Sequence, residues 1–104
     1  MNVAGLGALQ GQLIHLLADR GPSTANDLMA EFADLAEPPK YTTVLTVLRS
    51  LEKRGIVSHT ANGRTFVFEL VGQKDDVLKA CVEEFIRTTF GGDVDALRAI
   101  LRTM

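Results

Sequence analysis

The sequence predicts a mainly helical chain with one small β-hairpin, and three observations carry that prediction. Apolar residues recur at helical spacing in several separate stretches. Asn62-Gly63 stands between two runs of β-branched and aromatic residues, the pattern of a hairpin. Two further apolar stripes follow the hairpin, where a first core is already complete.

The first stretch, from about Val3 to Ala18, sets Leu6, Leu9, Leu13, Leu16 and Leu17 at helical spacing, and Gly21-Pro22 closes it. Gly5, Gly7 and Gly11 lower its propensity, so packing has to hold this helix. A second helix opens at Thr24, with Asp27 placed to complete a capping box and Leu28, Phe32 and Leu35 as its buried stripe. Pro38-Pro39 ends that connection, and Pro39 or Lys40 leads into the next helix.

That helix, Tyr41–Arg54, is the most informative segment. At about 100° per residue, Tyr41, Val44, Leu45, Val47, Leu48 and Leu51 gather on one side. Thr42, Thr43, Thr46, Arg49, Ser50, Lys53 and Arg54 gather on the other, and Glu52 lies at the margin as the segment's only acid. An ordinary surface helix mixes charges. Short hydroxyls and cations without an acid among them suit phosphates and base edges instead. Gly55 stops the helix, and the runs Ile56–Thr60 and Thr65–Leu70 follow, joined through Ala61-Asn62-Gly63-Arg64. In the second run Phe66, Phe68 and Leu70 alternate with Thr65, Val67 and Glu69, so one face is predicted to be buried.

Two short helices joined by a tight link, the second polar on its outer side, make a helix-turn-helix. A hairpin directly after it makes a winged helix. Residues 1–72 are therefore expected to form a winged-helix DNA-binding domain. Thr42, Thr43, Thr46, Arg49, Ser50, Lys53 and Lys40 are its expected contacts from the helix, and Arg64 is the contact from the wing tip. Residues 73–104 are expected to form a C-terminal helical dimerisation segment. Leu78, Cys81, Val82, Phe85 and Ile86 fall on one side of Lys74–Thr89. Gly91-Gly92 breaks the chain, Asp93 caps the next helix, and Val94, Leu97, Ile100, Leu101 and Met104 form a second stripe. Stripes that broad need a cover, either the wing domain, by folding back on it, or a second copy of the chain, and the second copy is the expected one.

Composition sets the limits. A chain of 104 residues has room for one core and a short appendage. No apolar run reaches the roughly 18 residues that cross a membrane, and no basic-then-apolar leader opens the chain, so a cytoplasmic location without membrane insertion is expected. The single cysteine, Cys81, excludes an internal disulfide and a cysteine-cluster metal site. No metal or other cofactor is expected, and no catalysis. His15 and His59 fall in unrelated segments, and neither a phosphate loop nor a nucleophile elbow is present. The net charge of −2 argues against DNA, but its distribution does not. Lys40 to Arg64 holds five cations against one acid, so the excess acid lies outside the expected reading face. A winged helix used as a protein-interaction module, without DNA binding, is the alternative function.

Tyr41-Thr42-Thr43-Val44-Leu45-Thr46-Val47-Leu48, followed by Leu51, Arg54-Gly55-Ile56-Val57 and Gly63-Arg64-Thr65-Phe66-Val67-Phe68, resembles the penicillinase-repressor family of bacterial winged-helix repressors. The Pro22-x-Thr24 opening and the Phe90-Gly91-Gly92 break are similar too, so the match runs from about Leu6 to Leu101. The resemblance implies a homodimer on a palindromic double-stranded operator. The recognition helix would enter the major groove, and the wing at residues 61–64 would contact the backbone or minor groove. It implies that Leu78, Val82, Phe85, Ile86, Val94, Leu97, Ile100 and Leu101 dimerise. Release in the family involves an upstream sensor or protease acting at an Asn-Phe bond, or copper at paired cysteines. This chain has neither an Asn-Phe pair nor paired cysteines, so the resemblance supplies no inducing signal.

Overall fold

The computed structural model describes residues 6–104. The chain divides after Val71 into two units, each with its own internal contacts. The first contains α1 (Leu6–Arg20), β1 (Ser23–Thr24), α2 (Ala25–Ala30), α3 (Tyr41–Lys53), β2 (Val57–Asn62) and β3 (Thr65–Leu70). The second contains α4 (Lys74–Thr89) and α5 (Val94–Leu101). The expected start of the first helix at Val3–Gly5 lies outside the described residues.

The core of the first unit is apolar and closed. Leu13, Leu28, Val44, Leu48 and Leu51 are fully buried, and Val57 is 1% exposed. These residues come from all three helices and the first hairpin strand, so α1, α2 and the sheet jointly seat α3. Burial of such side chains is worth roughly 1.5–3 kcal/mol each, and weak local propensity in α1 is overridden by it.

Chain terminations follow the local chemistry. Thr24 caps α2: its Oγ1 accepts from the Asp27 N–H at 3.0 Å, while the Asp27 carboxylate accepts from the Thr24 N–H at 3.0 Å. That reciprocal pair is the capping box the sequence predicts. The backbone hydrogen bond from Thr24, then the one involving its side chain, and the charge of Arg20 hold the Asp27 carboxyl below its ordinary 3.8. A carboxyl lowered in the folded state stabilises above its unfolded value and loses that contribution as pH falls through the folded one. Asp27→Asn should therefore flatten the acid limb of a stability-versus-pH profile below about pH 4, measured by urea melts. Thr24→Ala should cost about 1 kcal/mol at neutral pH. At the other end, α3 closes in a Schellman motif. Ile56 N–H bonds Leu51 C=O and Gly55 N–H bonds Glu52 C=O, both at 3.0 Å, with Gly55 at φ +77.

Three readings of the sequence are corrected. The second helix does not continue to Leu35: α2 ends at Ala30, and residues 31–40 form a long connection in place of a tight link. From Glu31 to Phe32 and Ala33 the backbone bonds reach back three residues, onto Leu28, Met29 and Ala30. That tighter winding takes the stripe out of helical phase. Leu28 and Phe32 stay buried, but Leu35 is 50% exposed.

The first hairpin strand extends two residues further into the turn than Ala61-Asn62-Gly63-Arg64 suggests, while the second begins at Thr65 as expected. Asn62 pairs with Thr65, leaving Gly63-Arg64 as the loop. Gly63 has φ +66 and, among the described residues, no non-glycine residue has positive φ, which is the type II′ pattern of glycine at the first loop position. Asn62 is thus a strand residue.

The third correction concerns the strand face. Phe66, Phe68 and Leu70 do share one side, but Phe68 is buried while Phe66 is 43% exposed. The alternation identifies a face without saying where the core beneath it ends. Near the tip His59 packs its ring on Phe66 at 4.8 Å and on Phe68 at 5.7 Å.

The expected hairpin is present, and a third strand joins it in the order β1-β3-β2, all antiparallel. The two-residue β1 pairs Ser23 with Phe68 and Thr24 with Val67, tying the start of α2 to the wing. A two-residue strand leaves no periodicity to read.

In the second unit, α4 keeps Leu78, Cys81 and Ile86 half-buried but leaves Val82 52% and Phe85 49% exposed. Phe85 stacks edge-on with Phe90 at 5.5 Å. Asp93 caps α5, its carboxylate accepting from the Ala96 N–H at 3.1 Å. Of the α5 stripe, Leu97 is half-buried, while Val94, Ile100 and Leu101 are exposed.

Candidate nucleic-acid interface

α3 presents its sequence-predicted polar residues unequally. Thr42, Thr46, Arg49, Ser50 and Lys53 are all exposed. Their spacing of four, three, one and three residues puts them in a single stripe along the helix. Lys40, also exposed, is the N-cap residue, with extended backbone and no capping side-chain bond. Thr43 departs from the group. It is half-buried and lines a hollow of about 310 Å³ with Leu9 and Gln12 of α1 and with Phe32, Leu35 and Pro39.

Thr46 is further defined by its own helix. Its hydroxyl donates to the Thr42 carbonyl at 2.8 Å. The proton is thereby committed to the backbone, and the outward oxygen is left as an acceptor. A group in that state suits a donor such as an exocyclic amine, or a thymine methyl against its own methyl.

Glu52, the only acid in α3, is engaged across the fold: its carboxylate meets His59 Nδ1 of β2 at 2.5 Å. The helix therefore carries Arg49, Lys53 and the hydroxyls on its open side while its acid is held on the wing. This contact was not legible in the sequence, because the fold brings residues seven apart together through the turn at Gly55.

The wing tip comes next to the start of α3. Arg64 lines a second hollow, of about 220 Å³, with Tyr41, Leu45, Asn26 and Phe66. Tyr41, assigned to the apolar stripe by its phase, is 46% exposed there. Tyr41, Phe66 and Asn26 are the residues sequence reasoning missed. The only signal was a pair of aromatic residues at the ends of their elements, where a stripe or strand face outruns its core. Among the described residues no helix is long and apolar enough to cross a membrane, and no cluster of three or more His, Cys, Asp or Glu could hold a metal ion.

Comparison with known proteins agrees with this architecture. A solved structure of a possible transcriptional regulator for arsenical resistance is 25% identical, with a TM-score of 0.66 over 93% of this chain and 88% of that one. A PadR family transcription regulator from Clostridium difficile is 16% identical, with a TM-score of 0.60 over 83% of this chain and 100% of that one. The Zalpha domain from Carassius auratus PKZ, solved in complex with Z-DNA, shares 20% identity and a TM-score of 0.55 over 65% of this chain and its own full length. At these identities the latter two speak for the fold alone. No curated protein gives a significant match. The family model described as penicillinase repressor matches residues 6–103, nearly the whole chain. With the winged helix and its cationic α3 face already in place, that match settles the classification: the chain belongs to the penicillinase repressor family and is a DNA-binding, winged-helix transcription regulator.

Proposed function

We propose that the chain is a sequence-specific transcriptional repressor that binds a palindromic operator as a homodimer. α3 enters the major groove, and Arg64 at the wing tip contacts backbone or minor groove. The observation that carries this reading is the exposed stripe of Thr42, Thr46, Arg49, Ser50 and Lys53, from which the one acid of the helix is withdrawn onto His59. A partner protein would more often require an apolar or aromatic anchor at the centre of such a helix face.

The residues divide by role. Lys40, Arg49, Lys53 and Arg64 meet phosphates, which position the protein without reading sequence. Thr42, Thr46 and Ser50 face base edges. Thr43, half-buried beside α1, acts as a contact only at the margin of the groove or through the packing of the helix entrance. The exposed apolar residues of α4 and α5, with Leu78, Ile86 and Leu97, pair two copies, and the twofold axis of that pair is matched by a palindrome.

Arg64→Ala and Lys53→Ala should each weaken binding on all DNA sequences and lower the salt slope by about one. Thr46→Ala should act unequally across operator variants, by roughly 1–3 kcal/mol at its own base pair. Fluorescence anisotropy on specific and random duplexes distinguishes the two. Equal losses on both duplexes from all three substitutions would overturn the assignment of base-reading residues.

A further inference from the structure

We propose that the hollow between the first turns of α2 and α3 and the wing binds a small aromatic carboxylate. Its ring lies against Tyr41 and Phe66, and its carboxylate lies on the Arg64 guanidinium.

The hollow measures about 220 Å³. A cavity of roughly 150 Å³ already accepts benzene, so this one has room for one ring and a carboxylate but not for a large polycyclic ligand. Two large aromatics that the core does not cover, Tyr41 at 46% and Phe66 at 43% exposed, line it together with apolar Leu45 and Phe68. Rings of this kind favour another flat ring, offset-stacked or edge-on.

The charge in the hollow has one sign. Arg64 is its cation, and no acid lines it. Among the described residues Arg64 makes no ion pair. Asp27, one residue beyond the Asn26 that lines the hollow, has its carboxylate on the Thr24 N–H. A guanidinium presents a planar fork that matches a carboxylate with two parallel hydrogen bonds. A neutral aromatic leaves that fork unused, and an aliphatic anion leaves the two rings unused. An anionic monocyclic aromatic engages both.

The consequence for regulation rests on the operator reading above. If Arg64 also holds a DNA phosphate, ligand and DNA compete for one guanidinium, and the ligand weakens DNA binding.

Tyr41 is the only tyrosine in the chain, so its ring protons form a single spin system inside the hollow. The full chain is titrated with benzoate, benzamide and acetate while those signals are followed by NMR. Benzoate should move them saturably, benzamide and acetate should bind at least about tenfold more weakly, and Arg64→Gln should weaken benzoate by a similar factor. A thermal melt verifies that Arg64→Gln is folded, since Arg64 is exposed at a turn. Tyr41 signals that ignore benzoate, that respond equally to benzamide, or that respond unchanged in Arg64→Gln would overturn the site. On a bound DNA fragment, saturating benzoate should lower affinity; an unchanged affinity would overturn the competition. If the chain binds no DNA, the operator reading fails, and the NMR titration still decides the hollow by itself.

Discussion

Leu48→Ala is expected to remove about 3 kcal/mol of folding stability. Leu48 lies on the inner side of α3 and is fully buried, as are Leu13, Leu28, Val44 and Leu51. A leucine so placed leaves a cavity that its rigid neighbours fill only in part, and the usual range is roughly 2–5 kcal/mol. Small domains hold only about 5–15 kcal/mol in total, so the thermal midpoint should drop by roughly 12–20 °C. Calorimetry measures it directly. A loss below about 1 kcal/mol would mean that α3 is not seated by this contact. The consequence reaches function, because the outer stripe of α3 has a fixed aim only while its inner side is packed.

Truncation after Gln73 should have the largest effect on binding. It removes α4 and α5 and keeps the unit that contains Leu13, Leu28, Leu48, Leu51 and Val57, all buried. The shortened chain is expected to fold as a monomer. Two linked reading heads gain avidity of order 10²–10⁴ over one, so affinity for a palindromic site should fall at least about 100-fold, with the loss much smaller on a half-site. Analytical ultracentrifugation and anisotropy read the two effects separately. A truncated chain that remains dimeric would contradict the role proposed for Val82, Phe85, Ile100 and Leu101.

Long periodic elements were the legible part of this chain. The bounds of α4 match the stripe that predicted them, and α3 ends where Gly55 permits a positive φ. Legibility failed where the answer depended on the extent of the core rather than on phase. Leu35 kept helical spacing after the backbone had tightened into shorter turns. Phe66 kept the right strand face past the edge of the core. Tyr41 kept the apolar phase of α3 at a turn where the core leaves it 46% exposed. β1 was too short to show a period, and Glu52 gave no sign that His59 would meet it.

The same distinction applies to the candidate interface. Periodicity alone collected Thr42, Thr46, Arg49, Ser50 and Lys53 on one side, and the fold exposes all of them. It also collected Thr43, which the packing of α1 and the 31–40 connection half-buries. What periodicity could not supply was the neighbourhood of Arg64. The position of that residue beside Tyr41 and Phe66 depends on the hairpin turn, which Asn62-Gly63 announced, and on the β1–β3 pairing, which the sequence did not.

The most direct test that the α3 stripe and Arg64 form a DNA-reading surface is the salt dependence of binding to a fragment selected from the genome. Affinity is predicted to fall linearly on a log–log plot, with a slope close to −0.9 for each phosphate neutralised. Lys53→Ala and Arg64→Ala should each make it shallower by about one. No binding to any fragment at low salt, or a slope that neither substitution changes, would contradict such a surface.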